Sequence, residues 1–185
     1  MTAEEAWAYA TVPNDAPLTR EEQVIQLFES LRDSVYRYVL TLLREPAAAE
    51  EITQEVFLRL VRQHRAGRSV KNPRAWIFRV AHNMAVDEAR TRKFRRSLDE
   101  KEWLELEESR RDTAPGPEES AAEAQQTRRW HVGLTSLPEQ QRACLLLRSE
   151  GFRYREIAEI LGVTISTVAE SLRRAIRRMM KDSDA

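Results

Sequence analysis

The sequence predicts an all-α protein built as two small helical domains joined by an acidic linker. Three observations carry that expectation. The 185 residues include only 5 Gly and 7 Pro, while the strong helix formers Ala, Leu, Glu and Arg abound. Apolar side chains recur at three- and four-residue spacing in two stretches, one before residue 97 and one after residue 130. The segment between them is acidic, is broken by Thr113-Ala-Pro-Gly-Pro117, and has few large apolar residues besides Leu98, Trp103, Leu104 and Leu106.

The first helix is expected from Thr19 to Leu43, where Val24, Ile25, Leu27, Phe28, Leu31, Val35, Tyr36, Tyr38, Val39 and Leu42 repeat at helical spacing. Glu21 and Glu22 suit its start, because acid complements the exposed amides of a first turn. Pro46 ends that helix or opens the next. The second helix should run from Ala48 to about His64, with Ile52, Val56, Phe57, Leu60 and Val61 on one face and Glu50, Glu51, Gln54 and Glu55 on the other. A loop from Arg65 to Asn72 contains Gly67. Pro73 suits the first position of a third helix reaching about Arg92. Its Trp76, Ile77, Val80, Ala81, Met84 and Ala85 turn inward, and three such helices can close a core. Trp76 and Phe78 can also be read as stacking platforms, although their apolar neighbours suit Trp76 to the core. Asp87 is placed to pair with a nearby Arg.

Residues 98–129 form the expected linker, with a short amphipathic helix near Trp103. Residues 1–18, with Trp7 and two prolines, make an N-terminal extension. The second domain, 130–185, starts with Leu134 and Leu137, takes a helix start from Ser136-Leu-Pro-Glu139, and continues through Ala143, Cys144, Leu145 and Leu147. Further helices follow at Tyr154–Leu161 and Ser166–Met180.

The zero net charge hides blocks. Residues 1–56 carry −7, residues 57–96 carry +10, residues 97–126 carry −7 and residues 127–185 carry +4. Ten positive charges over 40 residues suit a polyanion such as nucleic acid. No apolar run approaches a membrane span, and Met-Thr-Ala-Glu-Glu lacks the plan of a secretory signal, so an intracellular, cytoplasmic protein with no membrane insertion is expected. One Cys and three scattered His form no metal-ligand cluster. Without a Gly-rich phosphate loop or a nucleophile–base pair, the sequence suggests no enzyme, metal or cofactor. Cys144 reads as a buried, inert thiol.

The segment Tyr154–Ala175 has helix-turn-helix spacing: Ala158 where the helices cross, Gly162 at the turn, and Val168 to seat the second helix. Gly162 permits the left-handed backbone that stops the first helix. Thr164 or Ser166 can cap the second, whose N-terminal amides then favour a phosphate.

Together these features resemble the extracytoplasmic function (ECF) group of bacterial sigma factors. The resemblance rests on Ala49-Glu-Glu-Ile-Thr-Gln-Glu-Val-Phe-Leu-Arg-Leu60, on Pro73-Arg-Ala-Trp-Ile-Phe-Arg-Val-Ala-His-Asn-Met-Ala-Val-Asp87, and on Leu137-Pro-Glu-Gln-Gln-Arg142 running into the helix-turn-helix. It implies sigma domain two over residues 19–97 and sigma domain four over 130–185. It also implies a subunit that binds the RNA polymerase core at the β′ clamp helices and the β subunit and opens promoter DNA. An anti-sigma factor is a further implied partner.

Residue by residue, the resemblance puts Glu50, Glu51, Gln54, Glu55 and Leu58 at the polymerase contact. An acidic, polar face beside Phe57 and Leu60 independently suits an Arg-rich partner helix. Asn83 matches the family's asparagine near the −10 flipped-base pocket. Arg65, Arg68 and Lys71 wall that pocket and hold phosphates, and Arg90, Arg92, Lys93, Arg95 and Arg96 lie on the upstream duplex. The −35 element is assigned to Thr164, Ser166, Thr167, Glu170, Ser171, Arg173, Arg174 and Arg177. Glu170 departs from the family's usual basic pair here. It can accept from cytosine N4 or pair within the helix with Arg173 or Arg174. A stand-alone helix-turn-helix regulator is the alternative function, but it needs neither the acidic second helix nor the basic third. The −7 linker can either fold back on the +10 face and suppress free DNA binding or help thread toward polymerase channels.

Overall fold

The computed structural model describes residues 20–99 and 133–183. The N-terminal extension, the Thr19 helix start, most of the acidic linker with its helix near Trp103, and the expected fold-back lie outside the described residues. Six helices are used below: α1 (Arg20–Leu43), α2 (Pro46–Arg65), α3 (Pro73–Asp99), α4 (Glu139–Ser149), α5 (Tyr154–Leu161) and α6 (Ile165–Ser183). Residues 133–136 are also helical, and no strand occurs among the described residues.

Helices α1, α2 and α3 close the first unit. Val35, Val39, Val56, Leu60, Ile77 and Ala81 are all buried at its centre, which is the inward stripe their spacing predicts. The α1–α2 joint is two residues long. Arg44 turns the chain at φ 57° and Glu45 extends it at φ −133°, so that Pro46 opens α2. Pro46 therefore starts a helix two residues earlier than the apolar pattern suggests. Thr53, buried in mid-helix, donates its hydroxyl to the Ala49 carbonyl at 2.7 Å and so leaves no orphan polar atom. Asn72 caps α3, its Oδ1 accepting from the Ala75 amide at 3.0 Å, and Pro73 takes the first helical position. Helix α3 continues about two turns past Arg92, into the region read from sequence as linker. Arg92 itself bridges Glu88 and Glu45 there.

The second unit comprises α4, α5 and α6. Helix α4 starts at Glu139 as expected, but Ser136 does not cap it: its hydroxyl donates to the Gly133 carbonyl at 2.8 Å, and the cap position is Pro138. The capping interaction belongs instead to α5, where the Glu156 carboxylate accepts from the Arg153 amide at 2.8 Å. Gly162 ends α5 at φ 66°, ψ 33°, and the Val163 amide reaches back to the Ala158 carbonyl. Ala158 and Val168 are buried where α5 and α6 cross.

The two units share one apolar core. Helix α3 lies on α5 and α1 lies on α4. Phe78 and Phe152, both fully buried, meet edge to face at 5.1 Å, and Tyr38 meets Phe78 at 5.5 Å. Such ring pairs add about 1 kcal/mol beyond area burial. The Arg74 guanidinium sits 4.4 Å from the Phe152 ring centre, donates to the Glu150 carbonyl and faces the Glu150 carboxylate at 3.7 Å. Asn72 donates to Glu156 at 3.2 Å, and Arg44 donates to the Thr135 carbonyl.

Candidate functional site

Three exposed surfaces carry most of the residues singled out from sequence. On α2, Glu50, Glu51 and Gln54 are exposed and Leu58 is 51% exposed, although most of its apolar neighbours are buried. Gln54 lies 3.5 Å from the Glu50 carboxylate. Glu55 is half-buried and receives Arg59 at 2.9 Å and Arg62 at 3.2 Å. Those partners, the Arg59 hydrogen bond foremost, hold its carboxyl below the usual range. The sequence reading missed the apolar border of this face. Ile25 is 56% and Phe28 40% exposed on α1, and Phe28 packs edge-on at 5.0 Å against Phe57, the residue preceding Leu58. The signal was available: α1 has an apolar stripe wider than a three-helix core needs.

The second surface is basic. Arg65, Arg68 and Lys71 are exposed at the end of α2 and along the loop after it, and Asn83 and Lys93 are exposed on α3. Arg90 is exposed with Asp87 3.8 Å away. Arg92 is less exposed than its basic neighbours on α3. It is half-buried, 2.7 Å from Glu88 and 2.6 Å from Glu45, and these carboxylates, the Glu88 hydrogen bond first, raise its pKa. It pins α3 to the α1–α2 joint. Arg95 and Arg96 belong to the last turns of α3, and their side chains lie outside the described residues. Neither aromatic is an open stacking platform: Phe78 is fully buried against the second unit, and Trp76 is half-buried against the core.

The third surface is the helix-turn-helix. Thr164 caps α6, its hydroxyl oxygen accepting from the Thr167 amide at 3.2 Å and lying 2.8 Å from the Ser166 hydroxyl. Ser166, Arg173, Arg174 and Arg177 are exposed, and Thr167 is half-buried. Ser171 is set deeper than its polar neighbours on α6. It is buried beside Cys144, the two sharing a hydrogen bond that opposes the upward push of burial on the thiol. It also lines the floor of the cleft between α4 and α6. Glu170 pairs within the helix, holding Arg174 at 2.6 Å and Arg173 at 2.5 Å. A cleft of about 390 Å³ runs between α4 and α6, lined by Gln140, Gln141, Ser166, Thr167, Glu170 and Arg174 among others.

With this geometry in view, the likenesses to known proteins are consistent from end to end. Residues 27–95 match the family model Sigma-70 region 2, and residues 128–179 match Sigma-70, region 4. The ECF RNA polymerase sigma factor SigK of Mycobacterium sp. (strain KMS) is 30% identical over 161 residues, which is 82% of this chain and 78% of that protein. The ECF RNA polymerase sigma factor BldN of Streptomyces coelicolor is 29% identical over 84% of this chain, which spans only 58% of that longer relative. Among solved structures, the sigma factor RpoE in complex with the anti-sigma factor NepR from Bartonella quintana superposes with a TM-score of 0.71. The identity is 20%, covering 88% of this chain and 98% of that one. CnrH in complex with the cytosolic domain of CnrY gives 0.58 at 18% identity, covering 89% and 91%. Both structures support the helical fold.

Proposed function

The chain belongs to the ECF group of bacterial RNA polymerase sigma factors, and on that premise we propose how its surfaces divide the work of a non-catalytic promoter-specificity subunit. The α2 face of Glu50, Glu51, Gln54 and Leu58, bordered by Ile25 and Phe28, docks on the β′ clamp helices of the core enzyme. Exposed carboxylates around an exposed apolar patch suit a partner rich in Arg, with the patch supplying affinity and the charge supplying orientation. Glu55 orders that face through Arg59 and Arg62.

Arg65, Arg68 and Lys71 surround the −10 element, Asn83 offers an amide that both donates and accepts to an unstacked base, and Arg90, Lys93, Arg95 and Arg96 follow the upstream backbone. Helix α6 reads the −35 element through Ser166, Thr167 and the arginines beyond them, with a phosphate at its Thr164-capped N-terminus. The β subunit and an anti-sigma factor are the further partners, and the work takes place in the cytoplasm with the polymerase. No helix among the described residues is long and apolar enough to cross a membrane.

Promoter binding also requires the two units to separate. The −10 and −35 elements stand about 25 base pairs apart, roughly 85 Å of duplex at 3.4 Å per pair, whereas Phe78 and Phe152 touch. One unit on each element is incompatible with that contact. The segment joining α3 to the helical turn at 133 can reach about 110 Å at full extension, which is sufficient.

The observation that carries the division of work is the exposed acidic–apolar α2 face on the same three-helix unit as the exposed arginine-rich loop. The test is affinity capture of core polymerase by the full chain, followed by transcription from promoters that the assembled enzyme selects. Glu51→Arg with Gln54→Ala is expected to weaken core capture roughly tenfold while leaving the unfolding midpoint unchanged. Core capture by the variant equal to wild type would reject the assignment of α2.

A further inference from the structure

Helix α6 meets solvent with three side chains bound to one another. Each oxygen of the Glu170 carboxylate takes one guanidinium, Oε1 accepting from Arg174 Nε at 2.6 Å and Oε2 lying 2.5 Å from a terminal nitrogen of Arg173. Spacings of three and four place the trio on one face. That face borders the cleft shared with Gln140 and Gln141 of α4, and it carries Ser166 and Thr167 one turn earlier. The arginines hold the carboxyl below its usual range, the Arg174 hydrogen bond first and then the charges of Arg173, Arg174 and Arg177. Glu170 is therefore ionised at neutral pH. A guanidinium has five donors and each Glu170 bond uses one, so both arginines keep donors for another ligand. The trio carries one net positive charge where the arginines alone would carry two.

We propose that Glu170 is the specificity-determining positioning residue of the second unit: it orients Arg173 and Arg174 and cancels one of their charges, so that α6 discriminates among duplexes instead of adhering to all of them. Attraction to phosphates is blind to sequence and grows with every uncancelled charge. Base reading needs donors held in fixed directions. A carboxylate shared by two guanidiniums weakens the first and supplies the second. Glu170 acts through the arginines, each of its oxygens already holding one guanidinium. The inference rests on reading α6 as the −35 helix.

The test uses the full chain assembled with core polymerase and the variants Glu170→Gln and Glu170→Asp. Each holoenzyme selects from a duplex library randomised across the −35 region, and each binds a random-sequence duplex over a salt series. Glu170→Gln should bind the random duplex more tightly. Its plot of log affinity against log salt should steepen by about 0.9, and its preference for the selected duplex should narrow roughly tenfold. Glu170→Asp, which keeps the charge, should hold the wild-type slope. An unchanged salt slope in Glu170→Gln overturns the proposal alone. The same slope with preference lost at a single C·G pair also overturns it, since Glu170 would then read the base directly. A wild-type holoenzyme that enriches no duplex overturns the reading of α6 and the proposal together.

Discussion

His82 shows how a single buried ring can carry a pH dependence. It sits on α3 with its Nδ1 3.0 Å from the Tyr38 hydroxyl. Burial lowers its pKa, opposed in part by Glu139 of α4, and burial likewise pushes the Tyr38 phenol far upward. The phenol therefore stays protonated and shares this hydrogen bond with a neutral imidazole. A histidine with a folded pKa below its unfolded value near 6.5 contributes fully above that value. Its contribution is lost as pH falls from about 6.5 toward the folded pKa, because only the unfolded ring takes up a proton there. The slope has an upper limit of about 1.4 kcal/mol per pH unit. Denaturant unfolding at pH 7.5, 6.5 and 5.5 should show a fall that flattens in His82→Asn, whose amide oxygen can still accept from Tyr38. Equal slopes in variant and wild type would remove His82 from the account. Neither this hydrogen bond nor the Arg92–Glu45 ion pair could be read from the chain alone, because each joins residues more than forty apart in sequence.

At the scale of elements, periodicity carries furthest where one face is buried within a unit. Helix α5 matches its expected ends, because Gly162 sits in a left-handed conformation that only glycine adopts without strain. The ends of α2 and α3 differ from expectation for separate reasons. Proline at a first helical position leaves no amide to satisfy and so extends α2 backward. An exposed, charge-paired helix such as the end of α3 needs no apolar stripe to mark its length. Ser136 resembled a cap because Glu139 follows three residues later, but Pro138 occupies the cap position and the serine turns to Gly133. The same local chemistry makes Gly162 a sharp test. Gly162→Val should destabilise the second unit by about 1–2 kcal/mol, read as a lower urea midpoint, and should weaken binding to selected promoter duplexes by tilting α6 on α5. An unshifted midpoint would mean that the turn relaxes without strain. The α2 face and the helix-turn-helix were legible because their residues are close in sequence. The burial of Ser171 was not legible, because helical phase alone does not reveal the packing of α4 on α6.

Across the whole molecule, the feature that composition could not reveal is the seam between the two units. Phe78 and Phe152 each look like ordinary core residues of their own unit, and only the packing of α3 on α5 shows that each completes the core of the other. The seam combines apolar burial, worth about 1.5–3 kcal/mol for a phenylalanine, with Arg74–Glu150 and Asn72–Glu156, which are exposed enough to add little individually. Such a contact can form in the free chain and still yield when polymerase and DNA bind the separated units, because each binding event favours only the open form. Closure should therefore compete with promoter binding. Cysteines at Asn72 and Glu156, in a chain with Cys144→Ala, can be joined by a short methanethiosulfonate cross-linker that reductant cleaves. The joined chain should initiate poorly at promoters that need both elements, by at least roughly tenfold if closure excludes simultaneous contact, and reductant should restore activity. Controls carrying one cysteine should be unaffected. Full initiation by the joined chain would show that both elements are reached without parting the seam, and the distance argument against the closed form would fail.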